Sequence, residues 1–92
     1  MTDVLPVRPQ RTSNEPVERW PEGAVVVPGA PDSPGALALN PTALALWELC
    51  DGHTAVTEMV DAVCVLFEVD PARARDDVET ALREMVSAGV IR

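Results

Sequence analysis

The chain contains no lysine and no tyrosine, has a single histidine, and offers no apolar run long enough to cross a bilayer. Each of these gaps narrows what it can do. Without such a run there is no membrane span to expect, and an N-terminus with Asp3 early and proline throughout lacks a signal peptide's basic-then-apolar layout. A cytoplasmic location is the expectation. All seven basic residues are Arg and face fifteen acids, for a net charge of −8. Nucleic acids and anionic membranes must be met with positive charge, so neither is an expected partner. A basic or neutral partner fits better. Only Trp20, Trp47 and Phe67 are aromatic, which leaves aliphatic side chains to build the core of a 92-residue chain. That length is one domain at most.

The groups that carry chemistry are equally sparse. His53 stands beside Asp51 and Glu58, but a structural zinc site wants four ligands, typically Cys or His. Cys50 and Cys64 fall inside helical apolar patterns, which favours two reduced, buried small hydrophobes over a disulfide. Cys50 and His53 as nucleophile and base would lack an orienting group and an oxyanion hole. No catalytic residue, metal or cofactor is therefore expected, and the chain reads as a binding protein. An enzyme using Cys50 or Cys64 is a rival reading. An acyl carrier is disfavoured because Ser33 lies in a proline-rich loop, away from any helix start.

Eight of the nine prolines fall within the first 41 residues, and they divide the chain. Met1 to Glu15 alternates proline with polar and charged residues and is expected to be a flexible tail. Residues 16–92 form the expected domain. Three extended pieces are predicted at Val17 to Trp20, Ala24 to Val27 and Ala36 to Leu39. Pro21-Glu22-Gly23 would turn between the first two, and Pro28 to Gly35 would be a loop.

Three helices follow. Asn40 and Asp70 are cap residues, each preceding a proline suited to the first helical position. Leu44, Leu46, Trp47, Leu49 and Cys50 give the first helix its apolar side, and Asp51-Gly52 ends it. Val56, Met59, Val60, Val63 and Phe67 do the same for the second at helical spacing, opened by Thr54 or Ala55. The third has Ala74, Val78, Ala81, Leu82 and Met85 on one side and Gly89 at its end, after which Val90-Ile91 can fold back on the core. Its charged residues read as a solvated face with pairs such as Glu79 with Arg83, or as a polar rim around a peptide groove. Ala36-Leu37-Ala38-Leu39 is apolar on both faces of its strand. The edges of so small a sheet could accept an extended peptide, or a second copy of the chain.

Leu39-Asn40 before a helix, Ala43 with Trp47-Glu48-Leu49, Asp51-Gly52, Val56 with Glu58-Met59-Val60, Phe67 with Val69-Asp70, and Asp77-Val78 before Ala88-Gly89-Val90-Ile91 together resemble the PqqD family. That family includes the peptide-recognition domains of pathways that modify ribosomally made peptides. The resemblance runs from about Val17 to Arg92. Two features depart from the pattern. Ala55 stands where the family usually has Thr or Ser, and the aromatic residue often found before the Leu-Asn pair is missing.

The resemblance implies an α+β fold similar to a winged helix-turn-helix, with a three-stranded antiparallel sheet followed by a three-helix bundle. It further implies that the leader region of a precursor peptide adds as a strand against Ala36, Leu37, Ala38 and Leu39. Arg75, Asp76, Glu79, Thr80 and Arg83 of the third helix would line the groove. A bound leader would be delivered to a modifying enzyme such as a peptidase, a radical enzyme or a cyclase, with no bond chemistry by this chain. The rival from another class is a winged-helix DNA-binding regulator. Asp70, Asp76, Asp77 and Glu79 against Arg73, Arg75 and Arg83 make a poor phosphate-facing helix for that role.

Overall fold

The computed structural model describes residues 5–12, 18–26 and 37–92. Val17, Val27, Ala36 and the loop expected at 28–35 lie outside the described residues. Three short strands, β1 (Glu18–Trp20), β2 (Gly23–Val26) and β3 (Leu37–Leu39), precede three helices, α1 (Pro41–Leu49), α2 (Val56–Phe67) and α3 (Pro71–Ala88). This is the α+β order read from the sequence. The sheet is antiparallel with β2 in the middle, Val25 facing Glu18 on one side and Ala38 on the other. Gly23 starts β2 where a Cβ would lie 2.0 Å from the Leu39 carbonyl oxygen. Only glycine lets the two strands approach so closely there.

Two helices begin on side-chain caps. Asn40 accepts from the Ala43 amide at 2.8 Å and Asp70 from the Arg73 amide at 3.0 Å. Pro41 and Pro71 follow them, at positions where the missing N–H has no helical partner to lose. Gly89, at φ 77, closes α3 in the left-handed conformation. The α2 start is different, because its cap residue Ala55 has no side-chain acceptor. Thr54 does not substitute for it; its hydroxyl bonds the Asp51 carboxylate at 3.2 Å. The Glu58 carboxylate instead accepts from the Ala55 amide at 3.0 Å, and the Val7 carbonyl accepts from the Val56 amide at 3.1 Å.

Val7 belongs to the stretch read from the sequence as a flexible tail, of which residues 5–12 are described. Residues 5–12 run along the body of the protein as a strap. Gln10 and Arg92 exchange two backbone hydrogen bonds, both 2.8 Å, while Arg11 donates to the Cys50 carbonyl and Thr12 to that of Val90. The Arg11 guanidinium donates to the Trp47 and Glu48 carbonyls and lies 5.4 Å over the Trp47 ring. Those carbonyls end α1, where a cation meets the negative pole of the helix. Proline content misleads here because proline loses only its donor. The Pro9 carbonyl still accepts from Gly52, and the Pro9 ring is fully buried.

The core gathers one side of each helix around Trp47, Met59, Leu82 and Met85, with Leu39 from the sheet and Val90 and Ile91 folded back beneath. The Trp47 indole N–H donates to the Val90 carbonyl at 3.3 Å, so the one polar atom of the largest core residue is satisfied. Two expectations shift in degree. Cys64 is half-buried, and Phe67, at the last turn of α2, is 50% exposed. Among the described residues no helix is long and apolar enough to cross a membrane.

Candidate functional site

The strand β3 is one edge of the sheet. It pairs with β2 on one side, and among the described residues no backbone group pairs with it on the other. Side chains alternate as a strand requires. Leu39 is buried and Leu37 half-buried against the core, whereas Ala38 is exposed on the opposite face. Such an edge offers amides and carbonyls to any extended chain laid beside it.

A cavity of about 370 Å³ opens where β3 ends. Asn40 and Ala43 come from the start of α1, Phe67 and Val69 from the end of α2, and Arg73, Asp77 and Ala81 from α3. Asn40, the residue after Leu39, caps α1 and also lines the cavity, so the cavity adjoins the end of β3. Its interior is apolar, with Leu46, Val63 and Val78 behind Ala43 and Ala81. Its polar groups are Asn40, Thr42 and an Arg73–Asp77 ion pair at 3.8 Å. Both partners of that pair are well exposed, so it adds little to stability and can rearrange at small cost.

The predicted helix residues are placed elsewhere. Arg75 and Glu79 line a separate, more open depression with Leu5, Pro6 and Val7 of the strap and the start of α2. Glu79 is also paired with Arg83 at 3.4 Å, as its spacing suggests, while Asp76 and Thr80 are exposed. None of these five lines the cavity beside β3. The face of α3 that does is Arg73, Asp77 and Ala81, at i, i+4 and i+8. The buried stripe of Ala74, Val78, Leu82 and Met85 has two flanks, and periodicity alone does not say which one lines the cavity.

Two further titratable groups are shifted by their surroundings. Burial pushes the Cys50 thiol up to about 12, despite the opposing Arg11 charge. Its Sγ lies 3.2 Å from the Leu46 carbonyl, and a thiol so far from ionising is a poor nucleophile. Asp51 is held below the usual carboxylate range because it accepts from the backbone amides of His53 and Thr54, each at 2.8 Å. His53 is exposed at that turn. Among the described residues no group of three or more His, Cys, Asp or Glu is placed to hold a metal ion.

Compared with known protein families, residues 26–91 match the family described as Coenzyme PQQ synthesis protein D (PqqD). The match spans well over half of the chain, from the end of β2 to the second-last residue. Comparisons with curated proteins and with solved structures give no match.

Proposed function

The chain belongs to the PqqD family, the family of recognition elements for ribosomally made, modified peptides. From that premise we propose that it binds the leader region of a precursor peptide by strand addition to β3. It then presents the attached core peptide to a modifying enzyme of the same pathway. PqqD-family domains are non-catalytic accessory binding proteins, and in this reading the chain performs no bond chemistry of its own.

The observation that carries the proposal is the open β3 edge with an apolar cavity at its end. Backbone pairing along Leu37, Ala38 and Leu39 supplies affinity with little sequence preference. The cavity supplies selectivity by admitting an apolar leader side chain, with Asn40, Arg73 and Asp77 at hand for its polar neighbours. Holding the leader raises the effective concentration of the core peptide at the enzyme. Ala36, Arg75, Asp76, Glu79, Thr80 and Arg83 remain part of the proposed interaction only as outer contacts.

The test is a calorimetric titration of the purified protein with the leader of the precursor peptide encoded beside its gene. Binding in the micromolar range or tighter supports the reading. A dissociation constant weaker than about millimolar, with and without the enzyme, contradicts it.

A further inference from the structure

At its far end α2 carries an apolar tip that the core does not use. Val65, Leu66 and Phe67 are 77%, 71% and 50% exposed. Successive helical residues are turned by about 100° from one another, so the three wrap around the last turn of α2 and together form its tip. Exposed apolar surface concentrated in one place marks an interaction site more often than isolated residues do.

The charge around this tip has one sign. Glu58, Asp61 and Val65 share the outward face of α2 at i, i+3 and i+7, and all three are exposed. Glu68 follows the tip directly in the left-handed conformation, at φ 52. From Val56 to Ala72 the chain carries Glu58, Asp61, Glu68 and Asp70 and no basic residue. The next base along the chain, Arg73, is paired with Asp77.

We infer that the α2 tip is a docking surface for a second protein, one that presents apolar side chains flanked by Lys or Arg. Opposite charge on the partner steers it in and sets its register, while the apolar contacts supply the hold. This goes beyond the leader reading and stands separately from it, since the tip is no strand edge. The two sites adjoin, because Phe67 belongs to the tip and also lines the cavity at the end of β3. A partner seated on the tip lies beside whatever occupies that cavity.

The experiment is an NMR titration of the full ¹⁵N-labelled chain with a short amphipathic helical peptide of Leu and Lys. A scrambled peptide of the same composition and a Leu/Glu counterpart serve as controls. The expected result is amide shifts clustered over residues 61–69 with the amphipathic Leu/Lys peptide alone. Affinity should fall tenfold or more in Val65→Asp/Leu66→Asp and also in Asp61→Lys/Glu68→Lys. All four positions are exposed, and a thermal melt of each variant checks that it folds. Equal binding of the scrambled or Leu/Glu peptide, shifts centred elsewhere, unchanged affinity in both folded variants, or no binding would each overturn the inference.

Discussion

The Val7 carbonyl accepts a hydrogen bond from the Val56 amide at 3.1 Å, so a residue outside the family match serves the start of a helix inside it. The first amides of a helix have no partner within it. Ala55 gives α2 no side-chain acceptor, and the strap carbonyl satisfies the first of those amides, that of Val56.

Deleting residues 1–8 removes that carbonyl and leaves the Gln10 and Arg11 contacts in place. The expected cost is about 1 kcal/mol for the hydrogen bond, and more with the lost packing of Leu5 against the core. Denaturant unfolding measures it, and hydrogen exchange at the Val56 amide should quicken. Unchanged exchange there would assign the strap no part in capping α2.

The Ala55→Ser substitution restores an acceptor at a position whose backbone, at φ −75 and ψ 152, already suits a cap. It should stabilise the protein by about 0.5–1 kcal/mol. The gain should be larger in the chain lacking residues 1–8, where the start of α2 has less support.

Asp51→Ala should lower the melting temperature at neutral pH, because the carboxylate that accepts from His53 and Thr54 is gone. The sign of its pH dependence follows from the lowered pKa of Asp51. A carboxylate whose folded pKa is depressed stabilises fully above its unfolded value, near 3.8. That contribution is lost as pH falls through the lower folded value. The gap between wild type and variant should thus be constant from pH 7 to about 5 and narrow below pH 4. A gap that widens on acidification would contradict this account.

Thiol labelling should distinguish the two cysteines. Cys50 is fully buried with its thiol pushed up to about 12, whereas Cys64 is half-buried. Iodoacetamide at pH 8 should modify Cys64 alone in the folded protein and both residues in denaturant, as read by mass spectrometry.

How far the sequence reveals this molecule depends on the kind of signal. The helices were legible because Asn40-Pro41, Asp70-Pro71 and Gly89 are local cap signals that agree with the apolar periods, and α1 and α3 begin where those signals place them. The strap was not legible, since its bonds from Pro9, Gln10 and Arg11 reach residues some 40 to 80 positions away. Proline-rich composition reports only the missing donors. The strand β3 was legible as an element, whereas the side of α3 that lines the cavity was not. Arg73 and Asp77 lie on one flank of the buried stripe and Arg75 and Glu79 on the other, and only the packed structure tells the flanks apart.

The central claim is that an extended leader peptide pairs with β3. Amide hydrogen exchange across the chain, with and without the leader encoded beside the gene, tests it most directly. The account predicts new protection among the Leu37, Ala38 and Leu39 amides and shifted resonances at Asn40, Ala43 and Asp77. Binding that leaves β3 exchange unchanged while protecting another surface would contradict it.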